Sequence, residues 1–295
     1  MPKIIIRGFL SFILFFPLLY AVLVYLNNYE GEPVADEELQ QSIAQAEHWL
    51  TEHSESLAQH HNPGLWEFLA EASEKLESQA LKRIVNGYRS RFRYSYREHP
   101  LRFQVYGAGA GVDNYMVDDL HDYPYYNHLM MYAFSCDASL AEYQSVREQL
   151  EVNFCQQHYR FSPACKTHQL LGFLYFRDSQ CMAPSVYEPV ITSLAADLKK
   201  QMFFDPRVVD VYVQRLLVLY KSGMAEDVRA SWLRRVISAQ GQDGGWDNFM
   251  PVIPVGGERA IGFGPRGVSL SGERSDFHAT VQALLLLAYE QQARR

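Results

Sequence analysis

The feature that most constrains the fold of this chain is an apolar helix that recurs along its second half. Four such helices begin at equivalent residues spaced 40, 44 and 66 apart, namely His128, His168, Tyr212 and His278. Amphipathic helices alternate with them, near residues 140–154, 188–204 and 226–240. A hairpin of ~40 residues that recurs predicts stacked units with a shared core. Helices that are apolar nearly all round are expected inside, and amphipathic helices outside.

This pattern predicts an all-α fold in which repeated helical hairpins form an α/α toroid, closed or partial. Two further helices are expected before the repeat, one from about Leu39 and one over residues 65–88. No alternating pattern long enough for a major sheet is present. The glycine-rich segment 251–272 is predicted to be irregular, either as a mobile lid over the cavity or as a disordered loop.

The N-terminal segment predicts one transmembrane helix before this domain. Residues 8–26 are 19 residues without a charge, close to the ~20 that span a bilayer as a helix. Lys3 and Arg7 precede the segment and acidic residues follow it, which keeps the N-terminus cytoplasmic. No small-x-small cleavage site follows, so an uncleaved signal anchor is favoured over a signal peptide. The expected location is a bacterial-type inner membrane, single-pass, with the bulk of the chain periplasmic.

Three regions follow from these assignments. Residues 1–26 are the expected cytoplasmic stub and anchor, residues 27–38 a polar tether, and residues 39–295 the helical-hairpin domain.

The four cysteines all lie between residues 136 and 181, at Cys136, Cys155, Cys165 and Cys181. An even number in an exported domain predicts two disulfides and leaves three connectivities open. Buried free thiols are the alternative, and the lack of a C-x2-C pair disfavours a zinc cluster.

The charge balance argues against nucleic acid as a partner. The chain has 27 Lys+Arg and 34 Asp+Glu, for a net charge of −7, whereas nucleic-acid binding needs a basic surface. Because the first 26 residues contribute only Lys3 and Arg7 to this sum, the remainder is more acidic than the whole. An acidic sugar would therefore need local arginines. Arg91 and Arg93, in the basic and aromatic stretch 89–97, are the predicted substrate-binding arginines.

A turn and the helix after it carry a resemblance to a known family. Residues 240–246 read QGQDGGW after the last amphipathic helix, and residues 275–280 read SDFHAT at the start of the last apolar helix. This pairing resembles the terpenoid cyclase and protein prenyltransferase superfamily of α/α toroids. The resemblance covers about residues 225–290 and implies the toroid fold. Related α/α toroids include polysaccharide lyases and sugar epimerases, so the resemblance does not fix the chemistry.

The chain also departs from that family. A prenyltransferase zinc site needs a cysteine upstream of the histidine, and no cysteine occurs after Cys181. The D-x-D-D acid of the cyclases is absent as well. Residues 118–122 read DDLHD and match the D-D-x-x-D pattern that binds magnesium diphosphate, although so short a match arises easily by chance.

The starts of the inner helices converge at one end of a toroid, and this predicts the catalytic residues. They are His128, His168, Tyr212, Asp276 and His278. Two chemistries are open: a zinc ion on His128, His168 and His278, or a His and Tyr acid–base pair that abstracts a proton beside a sugar carboxylate. The structural alternatives are N-capping for the aspartate and core packing for the histidines.

Aromatic residues near these helices are the predicted floor of the substrate site. Tyr125, Tyr126 and Trp246 are expected to bind a sugar ring or a prenyl chain, with core packing as the alternative. The expected function is an enzyme acting on a carbohydrate polymer or lipid-linked envelope substrate. A non-catalytic envelope scaffold is the first alternative and predicts an exposed apolar patch. A prenyl-binding or cyclising enzyme is the second, weakened by export away from cytosolic diphosphates.

Overall fold

The computed structural model describes residues 17–96, 99–107, 117–257, 259–264, 267–272 and 274–295. Within these residues the fold is predominantly helical with a small antiparallel sheet, and residues 17–28 are also helical. The α-helices with defined bounds are α1 (Asp36–Glu52), α2 (Ser54–Leu57), α3 (Pro63–Lys75), α4 (Gln79–Arg91), α5 (Arg102–Tyr106), α6 (Tyr125–Ser135), α7 (Ala138–Ala141), α8 (Gln144–Leu150), α9 (Phe154–His158), α10 (Cys165–Ser179), α11 (Pro184–Phe204), α12 (Asp210–Lys221), α13 (Ala230–Ser238) and α14 (Phe277–Ala293). Short 3₁₀ turns cover Val117–Asp122 and Ala225–Asp227, and the strands are β1 (Met250–Gly256), β2 (Arg259–Gly264) and β3 (Gly267–Gly272).

The four apolar helices of the repeat lie at the centre of the fold, as predicted. All residues of segment 211–220 in α12, and all residues of segment 279–288 in α14, are buried. Helix α14 packs against α3 and α12, α12 packs against α10 and α11, and α10 packs against α6. The two segments 211–220 and 279–288 are buried on every side because they are predominantly apolar all round.

The helix predicted over residues 65–88 is wrong, because two helices occupy this stretch. Helix α3 ends at Lys75 and α4 begins at Gln79. Between them Glu77 adopts a left-handed backbone conformation with φ of 53°. The Ser78 hydroxyl then accepts a hydrogen bond from the Leu81 amide at 3.3 Å, which caps α4. The hydrophobic spacing is nearly continuous across the break, so the periodicity alone conceals it.

The prediction of an all-α fold without strands is corrected by the segment 250–272. This segment forms a three-stranded antiparallel sheet in the order β1-β2-β3. Ile253 pairs with Ile261, and Ile261 pairs with Leu270. At Gly262 a Cβ atom would lie 2.1 Å from the Met250 carbonyl oxygen, so a glycine is required for the close pairing. The glycines mark turns and close approaches here and do not mark a loop.

The predicted single-pass location in an inner membrane is contradicted by the structure. Across the described ranges, none of the helices is both long enough and apolar enough to cross a bilayer. The predicted anchor spans residues 8–26, and its first part, residues 8–16, lies outside the described residues. Within the described residues, the uncharged run contains no helix that is long and apolar enough to span a bilayer.

Two asparagines join the helical segment 17–28 to the rest of the fold. Asn27 is fully buried, donates to the Met202 carbonyl at 2.8 Å and accepts from the Tyr212 hydroxyl at 2.9 Å. Asn28 donates to the Phe203 carbonyl at 2.7 Å and accepts from the Trp232 indole at 3.1 Å. These two residues fall in the stretch expected to be a tether, and their side chains bind α11, α12 and α13.

Both predicted disulfides are present, which resolves the open connectivity. Cys136 is bonded to Cys181 with a Cα–Cα distance of 5.2 Å, and Cys155 to Cys165 with a Cα–Cα distance of 5.8 Å. Cys136 caps the C-terminus of α6 and Cys181 follows the C-terminus of α10, so the first bond ties together two neighbouring inner helices. Disulfides of this kind are typical of proteins in oxidising compartments.

Candidate functional site

Two of the predicted histidines lie near each other at the N-terminal ends of the inner helices. His168 lies in the first turn of α10 and His278 in the first turn of α14. Their charges interact with each other, and His278 also interacts with Asp210 and Asp276. Asp210 begins α12, and Asp276 caps α14 by accepting from the Ala279 amide at 3.0 Å. The starts of α10, α12 and α14 therefore lie near one another.

His168 is held in one orientation with one ring nitrogen free. Its Nδ1 lies 2.8 Å from the Ala164 carbonyl oxygen, and since a carbonyl can only accept, Nδ1 carries the proton. The lone pair is then on Nε2, which has no hydrogen-bond partner among the described residues. Burial lowers the pKa of His168 to about 4, so the ring is neutral at pH 7. A neutral imidazole with an open lone pair is suited to accept a proton.

Tyr126 covers one face of His168. The two rings are stacked with centroids 4.2 Å apart and planes inclined by 25°. Burial raises the pKa of the Tyr126 phenol, so it keeps its proton at neutral pH. The structure thus places a predicted substrate-binding tyrosine directly against a predicted catalytic histidine, with their rings stacked.

His278 and Asp210 form a partly buried pair with opposing shifts. Burial lowers the pKa of His278, and the charges of Asp210 and Asp276 work in the opposite direction. Burial raises the pKa of Asp210, which the charge of His278 partly offsets. The Gln282 side-chain nitrogen lies 3.0 Å from each ring nitrogen of His278. Titratable groups with pKa values displaced by burial are characteristic of catalytic sites.

Gln282 leaves one buried polar atom unsatisfied. The residue is 1% exposed, and its Oε1 has no hydrogen-bond partner in the described part of the chain. Such an atom usually has a water or ligand partner, because burial without one costs free energy. Gln282 lies one helical turn after His278, a position that the sequence analysis did not single out.

His128 lies apart from this group and is fully engaged by its neighbours. Its Nε2 donates to the Leu120 carbonyl at 2.6 Å and lies 3.0 Å from the Tyr123 carbonyl. Its Nδ1 accepts from the Ser145 hydroxyl at 2.5 Å. With both nitrogens used, His128 holds α6 to the 3₁₀ turn before it and to α8.

Other predicted site residues have structural contacts. The Tyr212 hydroxyl donates to Asn27, and Tyr125 stacks on Tyr159 at 4.1 Å. Trp246 is 1% exposed, and its indole donates to the Val236 carbonyl at 2.7 Å.

The predicted substrate-binding arginines lie at the end of α4. Both Arg91 and Arg93 are exposed, and the Arg91 guanidinium lies 5.2 Å from the Phe92 ring centroid. They do not line the cavity between the turn that follows α13 and the sheet.

The predicted zinc set of His128, His168 and His278 is not brought together. In the described ranges no group of three or more His, Cys, Asp or Glu residues is arranged to hold a metal ion. His128 has no free nitrogen, which leaves His168 and His278 as a pair. The side chains of Asp118 and Asp119 in the DDLHD match lie outside the described residues.

A second polar group, which the sequence analysis missed, lies further along the same helices. The Tyr175 hydroxyl donates to Glu67, and the Gln104 amide donates to the Tyr175 oxygen at 3.2 Å. One turn along α3, Glu71 accepts from the Tyr289 hydroxyl and pairs with Lys221. Burial raises the pKa of Glu67 to about 7. The spacing of Glu67 and Glu71 by four residues within an apolar helix was the available signal.

Comparisons of the chain with protein-family models, with curated proteins and with solved structures gave no match. The geometry of the side chains therefore carries the functional argument.

Proposed function

We propose that this protein is an enzyme of an oxidising compartment that carries out acid–base chemistry on a carbohydrate, with His168, His278 and Tyr126 at its centre. We further propose that its helical hairpins belong to the α/α-toroid class. The QDGGW turn and the succession of packed inner helices support the fold assignment. The two disulfides support the compartment.

The observation that carries the proposal is the state of His168. The Ala164 carbonyl fixes its tautomer and leaves Nε2 open, burial keeps the ring neutral, and Tyr126 covers it. In the proposed reaction Nε2 takes the proton from C5, the carbon next to a sugar carboxylate, and the C–H electron pair forms the C4=C5 double bond as the C4–O glycosidic bond breaks. The Tyr126 phenol gives its proton to the leaving oxygen. A neutral base and a protonated acid are the pair that such a step requires.

The test is activity of the purified chain on acidic polysaccharides, followed by the ultraviolet absorbance of an unsaturated uronate and by proton exchange in NMR. The double variant with His168→Ala and His278→Ala is expected to lose at least about 100-fold in kcat/KM. His48→Ala is the control, because His48 is exposed on α1 and far in sequence from either histidine. Full activity in the double variant would contradict the proposal.

The pH profile gives a second readout of the same step. Since burial lowers the pKa of His168 to about 4, the base remains unprotonated well below the usual range of histidine. The acid limb of kcat/KM is therefore expected near pH 4. An acid limb near the ordinary histidine value would show that a different group is the base.

A specific observation also favours the alternative of a non-catalytic scaffold. The outer face of the sheet exposes Ile253, Val268 and Leu270 at 55%, 69% and 56%. Clustered exposed apolar residues are common at protein interfaces. The two functions make different predictions for complementation of a deletion strain. If the protein is a scaffold, the variant with His168→Ala and His278→Ala is expected to complement the deletion fully. If the protein is the proposed enzyme, the same variant is expected to fail.

A further inference from the structure

We infer that the space beneath the sheet is a binding site for an acidic saccharide, separate from the histidine group. A cavity of about 1040 Å³ lies between the turn that follows α13 and the inner side of β1 and β2. This volume is at the upper end of the usual range for ligand sites. His168, His278 and Asp210 do not line the cavity, so the site is distinct from the one proposed for catalysis.

The carboxylates of the cavity wall are already occupied. Asp243 accepts from the Gly245 amide at 3.1 Å, from the Ser275 hydroxyl at 2.7 Å and from the Trp49 indole at 3.0 Å. Asp247 accepts from the Phe249 amide at 3.1 Å and from the Arg274 amide at 2.8 Å. These hydrogen bonds hold the turn and the residues before β1 in shape.

The arginines of the cavity wall are not occupied in this way. The guanidinium groups of Arg259 and Arg274 have no hydrogen bond or ion pair with another described residue. Each offers several N–H donors in a planar array that matches a carboxylate. Because a guanidinium carries only donors and a positive charge, the ligand that these two side chains fit is rich in acceptors and negatively charged.

The rest of the lining favours a sugar over a fatty chain. The lining is mixed, with the apolar residues Val209, Val213 and Phe249 and the polar residues Gln242 and Ser275. A pyranose ring has an apolar C–H face and a rim of hydroxyls, which matches a wall of both kinds. A fatty chain would leave the polar half without partners, which costs free energy. The cavity therefore fits a saccharide that carries a carboxylate.

The experiment is calorimetric titration of the full chain with oligomers of galacturonate, glucuronate and mannuronate, and with neutral oligosaccharides of equal length. At least one acidic oligomer is expected to bind, and its neutral counterpart at least tenfold more weakly. The variant with Arg259→Gln and Arg274→Gln is expected to lose at least tenfold in affinity. Both arginines are exposed, so circular dichroism is expected to show an unchanged fold.

Two controls separate this site from its alternatives. The variant with Arg91→Gln and Arg93→Gln removes the same charge from the exposed end of α4 and is expected to bind normally. His278→Gln is expected to bind normally too. If the wild-type chain binds an acidic oligomer but does not convert it, the proposed function fails and this binding site stands. The inference is overturned if none of the acidic oligomers binds, if the Arg259 and Arg274 variant binds as the wild type does, or if dodecyl phosphate binds in their place.

Discussion

Burial, more than pairing with charges, sets the protonation of the key side chains. Desolvation is the largest influence on His168, on His278 and on Glu67. It favours the neutral form of each group, which is the imidazole for the histidines and the carboxylic acid for Glu67. The pKa of Glu67 on α3 is therefore raised, and the pKa values of His168 and His278 at the starts of two inner helices are lowered.

The shift at Glu67 predicts a pH dependence of stability. Its folded-state pKa of about 7 lies above the ordinary value of 4.5. Below pH 4.5 the carboxyl is protonated in both states, and its contribution to stability is complete. Between these values the unfolded chain releases the proton first, so stability falls as pH rises towards 7. Glu67→Gln mimics the protonated acid and is expected to remove this loss, which is about 2 kcal/mol after allowance for partial exposure.

The measurement is urea unfolding of both proteins from pH 4.5 to 8. The variant is expected to match the wild type at the acid end and to exceed it at pH 8. Glu74→Gln removes a carboxylate from the exposed side of the same helix and serves as the control. A difference between Glu67→Gln and the wild type that does not change with pH would show that folding does not raise the pKa of Glu67.

At the level of the elements, the QDGGW turn joins the two ends of the fold. Gly244 has φ of +95°, and a Cβ at this position would lie 2.6 Å from the Gln45 carbonyl oxygen of α1. Gln240 reaches the same helix by donating to the Ser42 carbonyl at 2.9 Å. The glycine is therefore needed twice, for the left-handed backbone and for the close approach of α1.

Gly244→Ala is expected to destabilise the protein by about 3 kcal/mol or more, the sum of left-handed strain and a backbone clash. Gly223 supplies the matched control, since it has φ of +81° but nothing within 4 Å of its Cβ position. Gly223→Ala carries the strain alone and is expected to cost about 1 kcal/mol. Denaturant midpoints measure both, and equal losses would show that the contact with α1 contributes nothing.

The elements differ in how far the sequence predicts them. The inner helices follow from the apolar spacing and the presence of two disulfides from the cysteine count, because both signals can be read directly from the sequence. The sheet does not, since Gly262 reads as a breaker until its close approach to Met250 is known. For the same reason Arg259 and Arg274 could not be predicted as neighbours of one cavity. Tyr126 meets His168 only through the packing of α6 on α10, which spacing does not encode.

At the scale of the whole molecule, α14 packs against helices that lie more than 200 residues earlier in the chain. Helix α14 contacts both α1 and α3. Lys75 donates to the Gln292 side chain at 3.0 Å, and Arg294 donates to the Val34 carbonyl at 2.9 Å and to Asp36 at 2.6 Å. An open array of helical hairpins has free ends that unfold separately. With its ends joined, this fold is expected to open as one cooperative unit.

Leu286→Ala tests that cooperativity from one end of the chain. Leu286 is fully buried in α14, so its truncation is expected to cost about 3 kcal/mol. In a single cooperative unit the slowest-exchanging amides of α3, α10 and α14 open together, and native-state hydrogen exchange would show all three losing the same opening free energy. Arg295→Ala, at an exposed residue just beyond the same helix, is the control and is expected to change exchange in α10 little. Loss of protection confined to α14 would instead mean that the terminal helix opens alone, and that the contacts between the chain ends do not couple it to the centre of the fold.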